Sequence, residues 1–159
     1  TSTCLRMLVD IAKDHQKKKK QWSLCDIGLG TGILPITASL MGAFEVEGFD
    51  FDPEALVIAK RNMVINSIDD INIYEQDLFD WSPKRGKTWD VITANIFANV
   101  LNPNLKKIWS LVSQNGHLLL SGILKEHHDS ILKNAKNNGL PLPELHCKGK
   151  WVSFKFNKY

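Results

Sequence analysis

The sequence predicts an α/β fold: a seven-stranded, mostly parallel β-sheet with helices on both faces and an antiparallel last strand. Three observations support this. Short apolar segments alternate with helical patterns, which is typical of βαβ units. The first strand ends in glycines at alternate positions, Gly28, Gly30 and Gly32, and a helical pattern follows at once. Two final strand-like segments are joined only by Lys148-Gly149-Lys150, which is too short for a crossover, so these strands must be antiparallel neighbours.

The elements of the first half follow from apolar spacing and from residues that begin helices. Leu5, Leu8 and Ala12 have helical spacing, and Pro53 suits the first turn of a helix because that turn needs no N–H there. Asp52, directly before it, suits the N-cap position. We predict helices near 3–14, 32–41 and 53–66, and strands over 22–27, 44–49 and 71–74.

The second half continues the alternation and ends in the hairpin. We place Pro103 near the start of a helix and the pair Asn115-Gly116 in a turn that leads into a strand. Trp81 and Trp89 are expected to pack in the core or in loops rather than to line a substrate opening. We predict strands over 89–94, 117–120, 142–147 and 151–156, and helices over 101–112 and 125–138.

Length and composition indicate one globular domain, 1–159. A chain of 159 residues can bury a full core, and 43% hydrophobic with 23% charged residues is usual for a soluble protein. No apolar run approaches the roughly 20 residues of a membrane span. Cys4, Cys25 and Cys147 are far apart and form no Cys-x-x-Cys pair, so we expect neither disulfides nor a metal site. These observations predict a cytoplasmic protein with no metal and no membrane contact.

The charge of the chain is mildly basic. A net charge of +3 permits contact with nucleic acid but does not predict it. We expect the run Lys17-Lys18-Lys19-Lys20 to be a solvated loop rather than an anion-binding patch. His117, His127 and His128 are expected to be structural or surface residues, which leaves no evident general base.

The glycine loop predicts a site for a nucleotide-like cofactor. Glycine allows a positive φ and a close approach of the backbone to a ligand, and a helix N-terminus offers unpaired N–H groups. A dinucleotide loop would be Gly-x-Gly-x-x-Gly, which this chain fails because Ile33 follows Gly32, and no Gly-Lys-Ser/Thr ending of a phosphate loop is present. The pattern found is Asp-x-Gly-x-Gly-x-Gly, beginning at Asp26.

Two further acids follow predicted strands. Asp50 ends the second strand, eighteen residues after Gly32, where a carboxylate can accept hydrogen bonds from both ribose hydroxyls. This position by itself fits NAD and S-adenosylmethionine equally. Asp77 follows the third strand and either accepts from an adenine amino group or is a surface carboxylate.

The glycine loop resembles the cofactor loop of class I S-adenosylmethionine-dependent methyltransferases, which have a Rossmann-like fold. In such enzymes the end of the fourth strand faces the transferable methyl group, and many that act on amines carry Asn/Asp-Pro-Pro-Tyr there. This chain has Asn95-Ile96-Phe97-Ala98, which keeps the polar group without the prolines and the aromatic residue. The resemblance implies S-adenosylmethionine as cofactor, with Asp26 orienting its ammonium group.

A narrower resemblance covers essentially the whole chain. Asp90-x-x-x-Ala94-Asn95-Ile96, Ser121-Gly122-Ile123-Leu124, Gly149-Lys150-Trp151 and the opening segment from Thr1 are similar to the ribosomal protein L11 methyltransferase (PrmA) family. That resemblance implies that Thr1, Gly28, Asp50 and Asn95 contact the cofactor and that Asn95 lies at the site of methyl transfer. It also implies a catalytic domain alone, without the family's N-terminal substrate-recognition domain and its Gly-Thr-Gly-x-His element.

The family resemblance implies methylation of lysine ε-amines or of the N-terminal amine of a large-subunit ribosomal protein. Two alternatives use the same fold: methylation of an amine of an RNA base, and binding of S-adenosylmethionine without transfer. A more distant alternative is an NAD-dependent dehydrogenase.

Overall fold

The computed structural model describes all residues, Thr1–Tyr159. Its core is one seven-stranded sheet flanked by five α-helices and one short 3₁₀ turn. The strands are β1 (Ser23–Ile27), β2 (Glu45–Asp50), β3 (Ile71–Glu75), β4 (Trp89–Asn95), β5 (Val112–Leu124), β6 (Glu144–Lys148) and β7 (Trp151–Asn157). The helices are α1 (Ser2–Lys17), α2 (Ile33–Leu40), α3 (Pro53–Ile65), α4 (Ala98–Ser110) and α5 (His128–Asn137).

The strand order across the sheet is β3-β2-β1-β4-β5-β7-β6. The first five strands pair in parallel, whereas β7 is antiparallel to both β5 and β6. The predicted fold class and the reversed last strand are therefore confirmed. The order reverses between β1 and β4, and ligands of open α/β sheets bind in the crevice outside the carboxyl ends of strands at such a point.

Helices cover the two faces of the sheet. On one face, α1 and α2 pack with Met63 of α3 against β1, β2 and β5; on the other, α4 and α5 pack over a larger apolar cluster. Trp81 and Trp89 are buried in that larger cluster, as predicted. The β-sheet is thus packed between two layers of helices, which fixes the positions of the loops that follow each strand.

Some element boundaries differ from the prediction. α4 begins at Ala98 because the Phe97 carbonyl accepts from Val100 and Leu101, so Pro103 lies inside the helix rather than near its start. The helix ends at Ser110 because the Leu111 carbonyl accepts from the Trp89 N–H, which makes Val112 part of β5.

Two other predicted segments are divided differently. Asn115 has a φ of 63° but lies within β5, so the predicted turn is an irregularity of one long strand. The predicted helix over 125–138 is a 3₁₀ turn, Lys125–His127, followed by α5. The Lys125 N–H donates to the Lys150 carbonyl and ties this start to the β6–β7 hairpin.

None of the helices combines the length and the apolar character needed to cross a bilayer. No group of three or more His, Cys, Asp or Glu side chains is placed to hold a metal ion.

Candidate functional site

The glycine loop joins β1 to α2 at the point where the strand order reverses. Gly28, Gly30 and Gly32 all have positive φ, at 70°, 53° and 77°. A Cβ on Gly28 would lie 2.4 Å from Ile96 Cγ2, so this position requires glycine for space as well as for conformation. The N–H groups of Gly28 and Leu29 both donate to the Phe49 carbonyl, which attaches the loop to β2.

Asp50 connects the glycine loop to the turn after β2. One carboxylate oxygen accepts from the Gly30 N–H at 2.9 Å, and the other accepts from the Asp52 N–H at 3.1 Å. The side chain is buried apart from 7% of its surface. Asp52 caps α3, because its own carboxylate accepts from the Glu54 N–H at 2.9 Å, as predicted.

A cleft of about 240 Å³, the first cleft, opens at these strand ends. It brings together four of the predicted site residues: Gly28, Asp50, Asp77 and Asn95. The remaining walls are mainly apolar and come from Ile27, Phe49, Phe51, Gln76, Leu78, Ile96, Phe97 and Val100.

The first cleft suits a nucleoside. An acid at one end can accept from ribose hydroxyls, and aromatic side chains beside it can pack against a base. Phe51 and Phe97 are 74% and 72% exposed, so their rings are available to a ligand. A Cβ on Gly30 would meet nothing within 4 Å, which leaves the surface of the loop open on that side.

Asp77 lies in the loop after β3. One of its carboxylate oxygens accepts from the Phe79 N–H at 2.8 Å, and the side chain is exposed. Lys107 of α4 donates from its ammonium group to the carbonyls of Leu78, Phe79 and Trp81 and so holds this loop in place. The sequence offers no local signal for Lys107, because a lysine in an amphipathic helix usually faces solvent.

Asp26 lies on β1, two residues before Gly28, and does not line the first cleft. The residue is 1% exposed, and its carboxylate accepts from the Thr93 hydroxyl at 2.5 Å, across the paired strands β1 and β4. Burial raises the pKa of Asp26 to about 7. Its predicted contact with an ammonium group stays a prediction.

Gly30 and Gly32 also lie away from the walls of the first cleft. Gly32 packs closely on α3, because a Cβ there would lie 3.1 Å from the Cβ of Ala59. These two glycines shape the loop, whereas Gly28 alone of the three lines the cleft.

Asn95 also lines a larger cleft of about 670 Å³, the second cleft. Its side-chain amide donates to the Thr1 hydroxyl at 2.8 Å, so two predicted residues 94 positions apart in the chain are in direct contact. The other residues of the second cleft are Ser2, Thr3, Ser121, Gly122, Lys148, Gly149, Trp151 and Ser153.

Gly122 leaves room for the carbonyl end of Asn95. Its φ is 77°, and a Cβ there would lie 3.0 Å from Asn95 Oδ1 and 3.2 Å from the Ile96 carbonyl. The Asn95 amide is thus held by Thr1, while its oxygen lies beside a residue without a side chain. This arrangement keeps an acceptor available at the junction of the two clefts.

The histidines and the lysine run lie outside both clefts. His117 contacts Asn157 at 2.8 Å, and burial lowers its pKa, which fits the structural assignment. Lys17 to Lys20 are exposed at the end of α1, as predicted for a solvated segment. Two of them form ion pairs, Lys18 with Asp14 and Lys20 with Asp90.

The sequence matches one protein family along its full length. Residues 1–159 match the family described as ribosomal protein L11 methyltransferase (PrmA). A ribosomal protein L11 methyltransferase of Acetivibrio thermocellus is 31% identical over 96% of this chain and 46% of its own length. A relative of the same name from Fusobacterium nucleatum is 30% identical over 99% of this chain and 49% of its own length. The chain spans about half the length of these curated relatives.

Solved structures agree with this match. The crystal structure of a ribosomal protein L11 methylase from Lactobacillus delbrueckii subsp. bulgaricus superposes with a TM-score of 0.82 at 25% identity, over 98% of this chain and 79% of that chain. A magnesium protoporphyrin IX methyltransferase from Synechocystis, solved with bound SAM, has a TM-score of 0.71 at 15% identity, over 98% of this chain and 79% of that chain. The second likeness concerns the fold alone.

Proposed function

Since the chain belongs to the ribosomal protein L11 methyltransferase (PrmA) family, we propose that it transfers methyl groups from S-adenosylmethionine to amino groups of a large-subunit ribosomal protein. The observation that carries this proposal is the position of Asn95, which lines both clefts. A methyl transfer needs a donor and an acceptor that meet at one point, and two clefts that share one polar residue provide that point. A ribosomal substrate would place the reaction in the cytoplasm.

The first cleft is the proposed donor site. Asp50 would accept from the ribose hydroxyls, Asp77 from the adenine amino group, and the exposed rings of Phe51 and Phe97 would contact the base. Gly28 would let the backbone approach the ligand closely. The acid at the end of β2 would also fit NAD, so the preference for S-adenosylmethionine depends on the family and on the Asp-x-Gly-x-Gly-x-Gly loop.

The second cleft is the proposed acceptor site. When bound, S-adenosylmethionine supplies a methyl group on a positively charged sulfur. The amine nitrogen would bond to the methyl carbon while the carbon–sulfur bond breaks and leaves its electron pair on sulfur. The methylated ammonium group would then release a proton to water. The acceptor amine must first lose its proton to water, because an ammonium group has no lone pair. Asn95 Oδ1 would accept an N–H of the neutral amine and hold its lone pair in position.

The direct test is transfer of radiolabelled methyl from S-adenosylmethionine to separated ribosomal proteins and ribosomal RNA. We expect label in one large-subunit protein, and acid hydrolysis of that protein should release methylated lysine or a methylated N-terminal residue. Label in RNA alone would replace the proposed acceptor with a nucleic acid. Binding of S-adenosylmethionine without any transfer would support a binding protein instead.

Asn95→Ala should lower turnover much more than cofactor affinity. The variant loses the proposed contact with the acceptor nitrogen but keeps Asp50 and Asp77 in the first cleft. We expect at least a tenfold fall in kcat, consistent with loss of a well-placed polar group worth about 1.5 kcal/mol. The measurement is steady-state methyl transfer combined with calorimetric titration of S-adenosylhomocysteine.

The matched control is Asn99→Ala, which removes an exposed asparagine four residues further along, outside both clefts. It should leave both quantities unchanged. If Asn95→Ala lost affinity and kept its turnover, Asn95 would belong to the cofactor site only.

A further inference from the structure

A row of polar side chains crosses three neighbouring strands in the second cleft. Asn95 of β4 is directly opposite Ser121 of β5 in the register of the sheet. The hydroxyl of Ser121 lies 3.0 Å from that of Ser153 on β7. All three residues line the second cleft.

The two serine hydroxyls are buried, with only 4% and 3% of Ser121 and Ser153 exposed. Each hydroxyl has one donor and two acceptor positions, and the bond between them uses one donor and one acceptor. Three acceptor positions and one donor therefore remain on the pair. Buried polar groups are usually hydrogen-bonded, so the remaining positions on this pair suit a ligand that enters the cleft.

Two other hydroxyls of the second cleft are already hydrogen-bonded. The Thr1 hydroxyl accepts from Asn95 at 2.8 Å, and the Ser2 hydroxyl accepts from Lys148 at 3.1 Å. No carboxylate lines the cleft. A ligand that donates N–H bonds would therefore find buried side-chain acceptors on Ser121 and Ser153, with the half-buried Asn95 opposite Ser121 in the sheet.

We propose that the Ser121–Ser153 hydroxyl pair receives the second N–H of the methyl-accepting amine and so positions its nitrogen beside Asn95. This inference rests on the proposed function and specifies how the acceptor is held. The pair is an additional positioning element for a primary amine, contributed by β5 and β7. Neither strand contributes a residue to the first cleft.

The variant Ser121→Ala/Ser153→Ala removes both hydroxyls at once. Replacing two partners of a hydrogen bond by apolar groups of similar shape is nearly neutral for stability, so the double variant should fold. A matched control is Ser113→Ala on the same strand, β5. Ser113 donates to Asp90 at 3.2 Å and lines neither cleft. Thermal unfolding followed by circular dichroism checks both variants.

The probes are two analogues of S-adenosylhomocysteine in which nitrogen replaces the sulfur and carries either an aminobutyl or a butyl chain. The chain extends from the reacting position, so only the aminobutyl analogue brings an amine to the acceptor site. We expect the double variant to bind the aminobutyl analogue about tenfold more weakly by calorimetry, as for two lost hydrogen bonds. Its Kd for the butyl analogue should stay within about twofold of that of the unaltered protein.

Equal changes for the two analogues, or no change for either, would overturn the proposed positioning role and leave the proposed function intact. If the unaltered protein failed to bind S-adenosylhomocysteine itself, the proposed function would fail and this inference with it. Should the double variant not fold, Ser121→Ala and Ser153→Ala are tested singly. Each should then weaken binding of the aminobutyl analogue about threefold, with the Kd for the butyl analogue unchanged.

Discussion

The carboxylates of Asp50 and Asp52 leave the same strand end, yet they contact different groups. Asp50 accepts from the N–H groups of Gly30 and Asp52, whereas Asp52 accepts only from Glu54 at the start of α3. Asp50 lines the first cleft and Asp52 does not. Under the proposed function, Asp50 therefore contributes to cofactor binding, whereas Asp52 contributes to folding through the cap of α3.

Asp50→Ala should remove most of the affinity for S-adenosylmethionine. Hydrogen bonds to a charged group contribute about 1.5–3 kcal/mol, so we expect Kd to rise by roughly ten- to a hundredfold. Asp52→Ala should instead lower the free energy of unfolding by about 1 kcal/mol, as for a lost helix cap, with Kd unchanged. Calorimetric titration and urea unfolding of both variants measure the two effects. A reversed pattern would exchange the assignments of these two acids.

Asp26 should make the stability of the protein depend on pH. Burial raises the pKa of this carboxyl to about 7 in the folded chain, well above the ordinary value of an aspartate. Its stabilising contribution is therefore complete below about pH 4, where the unfolded carboxyl also holds its proton, and is lost as the pH rises through 7. Asp26→Asn does not ionise and keeps a hydrogen-bonding partner for Thr93.

We expect the free energy of unfolding of Asp26→Asn, relative to the unaltered protein, to increase from about pH 4 to pH 7 and then to level off. Urea unfolding at four pH values across this range measures the difference. A difference that did not vary with pH would mean that Asp26 ionises with an ordinary pKa despite its burial.

At the scale of the elements, the strands differ widely in how well they are covered. β1 is buried along its whole length between β2 and β4, while every residue of β6 is exposed and the strand pairs only with β7. Strand edges with few buried contacts open at low cost in free energy. The part of the second cleft that β6 contributes, at Lys148, is therefore weakly stabilised.

Amide hydrogen exchange should reveal this gradient. We expect the amides of β6 to exchange fastest among the strands and those of β1 and β4 slowest, with β7 between them. Mass spectrometry of peptic fragments, or resonances resolved by residue, gives the order directly. Equal protection of β6 and β4 would contradict it and would mean that something covers the free edge of β6.

For the molecule as a whole, ligand binding distinguishes the two cofactors that Asp50 could accommodate. A ligand at a hundred times its Kd stabilises the folded state by about 2.7 kcal/mol, which in a chain of this size raises Tm by roughly 5–10 °C. S-adenosylmethionine should produce this shift and NAD should not. A calorimetric scan with each ligand decides the question, and stabilisation by NAD alone would refute the cofactor assignment.

Much of the fold and part of the candidate site are predictable from the sequence, because both depend on local patterns. The short link Lys148-Gly149-Lys150 requires the reversed last strand. Residues at the carboxyl ends of parallel strands, such as Gly28, Asp50 and Asn95, meet at one edge of the sheet. Asp77 is found in the same way, after β3.

The features that the sequence did not predict depend on contacts between distant residues. Pro103 suggested a helix start, but the Phe97 carbonyl closes an earlier turn. The pattern around Asp26 identifies the residue but not its contact with Thr93, 67 positions away. Lys107 and the pair Ser121–Ser153 contact groups 26–32 positions away, and no local spacing marks them.

The two clefts draw on different parts of the chain. All residues of the first cleft lie between Ile27 and Val100, whereas the second cleft takes most of its residues from 121–153 and from the first three residues. Under the proposed function, mutations after α4 can alter which substrate is methylated without altering the residues that bind the donor. Acceptor choice can then change through residues of β5 and of the β6–β7 hairpin while the donor site is kept.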